Sequence, residues 1–251
     1  MRLKSFIAVC GVLAVFAGCG GSGEPVEVIE QTHDNGAKRE VITYVGKRDN
    51  VIRRVFYSPE GNMMSEQTFK DGRPDGKRIT YFPDGTVRQE VNFRDSLLHG
   101  PSKSWYSNRQ LESEAEYVDG QLVGRVVAYF EDGQIASEVT YQDGRKHGEE
   151  IEYHPNGNRK LVKTFNAGIQ EGVEIEYFEN GNVRAEFLYS NNARNGRFRM
   201  LHQNGRVAKA GTYVNGRFQD TLVQFNSAGR REALAIYDRG QKTFGQSFVN
   251  R

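Results

Sequence analysis

Residues 77–93 read KRITYFPDGTVRQEVNF, and this stretch decides the fold. Lys77 to Phe82 is a short run of β-prone residues. Pro83-Asp84-Gly85 is a turn: proline presets φ, aspartate caps the turn through its side chain, and glycine accepts a positive φ. Val87 to Phe93 alternates apolar and polar, as a half-buried strand does. A second turn follows each such strand, built on a Tyr-x-Asp-Gly-x-x-x-Gly pattern that is clearest at Tyr141 to Gly148 (YQDGRKHG). Both connections are short, whereas a parallel crossover needs about a dozen residues or more. Consecutive strands are therefore expected to be antiparallel neighbours.

Working outward, the same pattern recurs at a fixed step, the one from Gly61 to Gly85. Gly61, Gly85, Gly133, Gly157, Gly181, Gly205 and Gly229 keep this register, broken only at Arg109. Gly76, Gly100, Gly124, Gly148, Gly172 and Gly196 form a second series, and Gly72, Gly120, Gly144, Gly168, Gly216 and Gly240 a third. Aromatics repeat with the same step, as in Tyr57, Tyr81, Trp105, Tyr129, Tyr153 and Tyr177. A fixed period of this length marks a stacked repeat architecture. The expectation is an all-β, elongated antiparallel meander of about nine 24-residue hairpins over residues 31–251. Its last unit is degenerate: Leu234 stands where the repeat has glutamate, and a glycine slips to Gly245, which reads as a C-terminal cap. Simple alternation places Ile79, Tyr81, Val87, Val91 and Phe93 on one face and Arg88, Glu90 and Asn92 on the other.

The N-terminal segment has a different logic. Arg2 and Lys4 precede a 12-residue uncharged apolar run, Phe6 to Ala17. A bilayer-spanning helix needs about 20 residues, so the run fits a signal-peptide h-region within a signal over residues 1–18. It ends in Phe16-Ala17-Gly18-Cys19, which resembles a lipobox with Cys19 as the lipidated N-terminus. Residues 19–30, opening on Gly20-Gly21-Ser22-Gly23, read as a lipidated, flexible tether. The cysteines are Cys10 and Cys19, so the mature chain has no internal disulfide. The Gly18 to Gly23 match to G-x-G-x-x-G straddles the cleavage site and has no βαβ context. The reading is a bacterial lipoprotein of the cell envelope, anchored in the membrane through Cys19. Gly20 is not the aspartate that retains lipoproteins in the inner membrane, which points to the outer membrane where the host has two.

The chain has 34 Lys and Arg against 32 Asp and Glu. Removing the signal takes Arg2 and Lys4 with it and leaves 32 against 32. A nucleic-acid binder needs a basic face, so no nucleic-acid partner is expected.

The segment Tyr141 to Gly148 resembles the MORN repeat (Y-x-x-G-x-x-x-G), and the Tyr-Phe-x-Asp/Asn-Gly turns at Tyr81, Tyr129 and Tyr177 resemble the MORN repeat variant of bacterial proteins. Chains labelled YwqK-type antitoxins are among these. The resemblance covers about residues 31–245. It implies a scaffold, a protein-binding surface or a lipid contact, with antitoxin-like behaviour as a further implication.

Nothing in the pattern assembles an active site. His99 and His147 share one repeat position, and His154 and His202 another, the members of each pair standing two repeats apart. Four strands at about 4.8 Å separate such pairs by roughly 19 Å, too far for shared metal ligation, so these read as surface or turn histidines. Glu66, Glu90, Glu114, Glu138 and Glu186 form a carboxylate ladder, expected to pair with neighbouring cations such as Arg88 beside Glu90. No catalytic residue, metal or cofactor is expected. The expected role is that of a membrane-anchored protein-interaction scaffold with a protein partner, the alternative being a lipid or envelope-polymer binding module. One unit stands out for binding. Trp105-Tyr106-Ser107-Asn108-Arg109 holds the sole tryptophan and replaces the turn glycine by arginine. Trp, Tyr and Arg are the residues most enriched at binding hot spots, so Trp105, Tyr106 and Arg109 are the candidate binding residues. Arginine at a positive φ carries strain, unless Asn108 takes the left-handed conformation instead.

Overall fold

The computed structural model describes residues 23–248, and the regular structure among them is 21 β-strands. The export segment and Cys19 lie outside the described residues. The first strand, Pro25–Thr32, corrects the tether boundary, because the array begins inside the segment 19–30. Its sequence, PVEVIEQT, is β-prone, and it pairs with Lys38–Val45, whose Val41, Ile42 and Tyr44 are buried.

The chain forms two compact bodies, one ending at Arg109 with Tyr117–Gly120 added, the other comprising Gln110–Glu116 and Gln121 onward. Each is an antiparallel meander. In the first, Lys38–Val45, Val51–Tyr57, Met63–Lys70, Arg73–Tyr81 and Val87–Arg94 pair in sequence. In the second, the succession from Gln121–Tyr129 to Gln241–Ser247 does the same.

The two turns of each repeat have distinct geometries, and both follow from their residues. At Pro83-Asp84-Gly85, Gly85 N–H donates to Phe82 C=O at 2.9 Å and Phe82 N–H to Thr86 C=O at 2.8 Å. This is a three-residue loop with a left-handed third residue, Gly85 at φ +83°;. Asp84 Oδ1 accepts from Thr86 N–H at 2.9 Å and caps it. The other turn is type I′, with two consecutive positive φ values, as at Asp143 (+50°) and Gly144 (+71°);. The same pair recurs at Asp95-Ser96, Asp119-Gly120, Ala167-Gly168, Asn191-Asn192, Asn215-Gly216 and Arg239-Gly240. Aspartate and asparagine dominate the first position because a short polar side chain tolerates the left-handed region.

Bulges overturn the simple alternation of faces. Thr80 pairs with Gln89 but Tyr81 pairs with Val87, so Arg88 is an extra residue. Ile79 pairs with Glu90, while Val91 pairs with Arg78. Residues directly opposite in an antiparallel pair share a face. Ile79, Tyr81, Val87 and Glu90 therefore lie on one face, and Val91 and Phe93 on the other. The expected grouping of all five apolar residues against Glu90 is thus wrong. The next repeats agree: Val127 pairs with Glu138, and Val126 with Val139. Each face of the sheet is part apolar and part polar. Val55, Val127, Ile151 and Val162 are buried on the glutamate face. On the opposite face of the second body, Ala185, Phe187, Phe198, Leu222 and Ala235 form a core. There Phe187, Phe198, Tyr213, Phe218 and Tyr237 pack ring against ring in succession, alternately stacked and tilted, with centroids 5.5, 5.0, 4.5 and 5.2 Å apart. Each such pair contributes about 0.5–1.5 kcal/mol beyond area burial.

A wider bulge sits at Gly76, a glycine of the second series. Gln67 pairs with Arg78 and Phe69 with Pro74, so Thr68 faces residues 75–77. Thr68 Oγ1 donates to the Asp75 carbonyl at 2.5 Å and lies 3.2 Å from that of Lys77. A Cβ on Gly76 would lie 2.5 Å from that oxygen, whereas one on Gly85 meets nothing within 4 Å. Gly85→Ala is expected to lose about 1–2 kcal/mol through its backbone angle alone. Gly76→Ala is expected to lose about 1–3 kcal/mol more through overpacking. Urea unfolding of the two variants measures the difference, and equal losses would remove the bulge from the account.

Candidate binding surface

Arg109 itself takes the left-handed conformation, at φ +69°, and its N–H donates to Tyr106 C=O at 2.9 Å, as the turn glycines do. Asn108 does not relieve it. Trp105 ends the strand Gly100–Trp105, and both it and Tyr106 are half-buried, while residues 107–110 are exposed. Consecutive residues in extended chain project to opposite faces. Trp105 thus occupies the slot of Tyr81 and Tyr129 on the glutamate face. Tyr106 and Arg109 stand in the same turn, joined by that backbone hydrogen bond.

The carboxylate ladder is paired, but through space rather than with sequence neighbours. Glu90 meets Lys77 at 2.6 Å, and Arg88 instead lies over the Phe82 ring at 6.0 Å. Glu66 accepts from Arg53 at 2.6 Å and from the Tyr81 hydroxyl at 2.5 Å. Glu138 repeats the arrangement with Arg125 at 2.7 Å and the Tyr153 hydroxyl at 2.5 Å. Glu114 accepts from the Tyr129 hydroxyl at 2.8 Å. The hydroxyl comes from a tyrosine 15 residues later, a spacing that only the folded register brings together. The Tyr153 hydrogen bond holds the Glu138 carboxyl below its ordinary value, partial burial opposes this, and Arg125 adds to it. Tyr81 is pushed up to about 12, by burial first and then by its bond to Glu66.

The histidines do structural work at the turns. His33, His154 and His202 donate through Nε2 to the carbonyls of Tyr57, Tyr177 and Phe225, at 2.9, 3.1 and 2.9 Å. Each bond reaches the following repeat. Asn35, Asn156 and Asn204 make the same kind of link, to Pro59, Glu179 and Ser227. Among the described residues no three His, Cys, Asp or Glu side chains converge as a metal site.

Features absent from the sequence reading lie in the second body. Val173 and Leu188 pair directly and are 46% and 42% exposed, and Ile236 and Phe244 pair with 40% and 48% exposure. Two shallow grooves of about 340 and 550 Å³ share Phe178 and Arg184. Arg194 lies 3.6 Å over the Phe187 ring and 3.6 Å from Glu174. No alternation pattern marks these sites, because all depend on which residues the bulges bring opposite one another.

Five tandem segments of the chain match the MORN repeat variant. They are residues 74–95, 98–119, 122–143, 146–167 and 170–191, each running from one type I′ turn to the next. Outside them, the same two turn geometries keep the period from Gly61 to Gly240. No curated protein matches the chain. Among solved structures it is similar to a TcdB2-TccC3-Cdc42 complex and to a Photorhabdus luminescens Tc holotoxin pore, at 10% identity and a TM-score of 0.21 each. In both, 86% of this chain aligns to 14% of the other, so it spans about a seventh of their length. A porin-like protein from Bacteroides uniformis is similar at 7% identity and a TM-score of 0.21, covering 82% of this chain and 88% of that one.

The paired carboxylates make stability depend on pH. Glu66, Glu138 and Glu186 all sit below their ordinary value of 4.5 in the folded protein. Their contribution is full above that value and is lost as pH falls through the lower folded value. Tyr81 acts at the other end: its unfolded hydroxyl ionises near 10 and its folded one near 12, so stability is lost as pH rises between them. The urea midpoint is expected to be flat near neutrality and to fall on both sides. Glu138→Gln should shrink the acid limb, and an unchanged acid limb would contradict the pairing.

Proposed function

We propose that this protein is a lipoprotein of the cell envelope, tethered through Cys19, whose repeat array is a non-enzymatic scaffold binding a protein partner. The observation that carries this reading is the Trp105–Arg109 turn. Every other described turn of its series holds glycine at the left-handed position, and here arginine is kept there despite about 1–2 kcal/mol of backbone cost;. Local strain retained against an available alternative is characteristic of functional positions, and Tyr106 at the same turn adds a second residue type enriched at hot spots. The export segment and Cys19 support the tether. A second reading, contact with a lipid or envelope polymer, draws on the grooves that share Phe178 and Arg184, where an aromatic ring and a cation lie together.

Arg109→Gly separates a functional from a structural role. It is expected to raise stability by about 1 kcal/mol by removing the strain, while recovery of the partner from envelope fractions falls. Tyr106→Ala should lower recovery too, with the fold intact by circular dichroism. Full recovery by both folded variants would end the scaffold assignment at this turn. Cys19→Ala is expected to release the protein from the membrane fraction or block its processing. A variant that fractionates and migrates like the wild type would end the lipoprotein reading.

A further inference from the structure

The first and last described strands have one partner each. Pro25–Thr32 pairs with Lys38–Val45, and Gln241–Ser247 with Arg231–Asp238. A strand edge with free N–H and C=O groups is a template for another strand. The two edges differ in charge. Residues 24–32 contain Glu24, Glu27 and Glu30 and no cation, whereas residues 239–248 contain Arg239 and Lys242 and no carboxylate. Each also exposes a large apolar side chain, Val26 at 50% and Phe244 at 48%. Gln241–Ser247 is exposed along its whole length.

We propose that the Gln241–Ser247 edge of one copy of this chain pairs antiparallel with the Pro25–Thr32 edge of a second copy, so that copies associate head to tail. A register with Lys242 beside Glu30, Phe244 beside Ile29, Gly245 beside Val28 and Ser247 beside Val26 keeps the faces consistent. Val26, Val28 and Glu30 share one face, since Val26 pairs with Tyr44, Val28 with Ile42, and Glu30 accepts from the Tyr44 hydroxyl at 2.9 Å. Lys242, Gly245 and Ser247 likewise share one face, opposite Tyr237, Ala235 and Ala233. In this register Thr243, already the extra residue of its own strand, is again left without an opposite residue between Phe244 and Lys242.

Charge also selects this pairing over the symmetric ones. Two Pro25–Thr32 edges would set carboxylates against carboxylates, and two Gln241–Ser247 edges would set cations against cations. Like charges opposed across strands are destabilising. A pairing between unlike edges leaves one free edge at each end, and such contacts generate open chains unless the rotation closes. The proposal does not depend on membrane anchoring.

Cysteine cross-linking of the full chain tests it, with Cys10 and Cys19 replaced by serine. A chain carrying Ile29→Cys is mixed with one carrying Phe244→Cys and oxidised. The mixture is expected to give a disulfide-linked dimer severalfold above the yield of either chain alone. A single chain carrying both substitutions should give a ladder of higher species. Adding Lys242→Glu should cut the mixed yield, and Glu30→Lys on the other chain should restore it. Circular dichroism confirms that each variant is folded. A mixture that cross-links no better than the separate chains overturns the pairing. A yield indifferent to Lys242→Glu overturns the charge selection.

Discussion

The structure depends on hydrogen bonds between the turns of successive repeats. At the type I′ edge, Gly144 N–H donates to Leu122 C=O, Gly168 to Lys146, Asn192 to Gln170, Gly216 to Arg194 and Gly240 to Phe218, at 2.8 to 3.2 Å. Each bond reaches back almost one full repeat, to the second strand position after the preceding turn. At the other edge, asparagine and histidine side chains reach forward to the next repeat. An isolated two-stranded hairpin is marginal in water, and a sheet of hairpins has its weakest cohesion where its turns leave the ladder. Here both edges are laced, so each repeat is held by its neighbours at the turns as well as along the strands. The positive φ values at the turns aim these N–H groups outward along the stack, which is why the turn residues keep the period so strictly.

A second constraint follows from the bulges. One extra residue at each three-residue loop and a wider irregularity at the glycines of the Gly76 series shift the register twice per repeat. The result is a sheet with no purely apolar face. Valines and isoleucines alternate with glutamates on one side, and the glutamates are accommodated by tyrosine hydroxyls and cross-strand cations. On the other side of the second body, five aromatic rings pack in succession. Polar and apolar groups are therefore interleaved on both faces.

The period, the all-β class and the identity of both turns were legible in the sequence, since glycine, aspartate and asparagine at fixed offsets have a direct conformational meaning. The face assignment was not, because Arg88 looks like any strand residue, and only the pairing of Tyr81 with Val87 reveals it as an insertion. The partner of Glu90 was misplaced for the same reason: Lys77 lies across the sheet on the preceding strand, while Arg88 is adjacent in sequence alone. The array start was set too late because Glu27 and Glu30 make Pro25–Thr32 look polar, although its apolar residues cover buried side chains of the next strand. Arg109 could be flagged as a broken rule, but whether it or Asn108 would bear the positive φ was a matter of backbone geometry.

The central claim is that turn-to-turn hydrogen bonds hold the repeats together, and native-state amide exchange tests it most directly. The amides of Gly144, Gly168, Gly216 and Gly240 sit in exposed turns and would exchange freely if the turns were ordinary loops. They are expected to be protected to the level of the neighbouring strand amides and to open together with them. Exchange of these four amides at the rate of unprotected loop positions, with the strands still protected, would contradict the account.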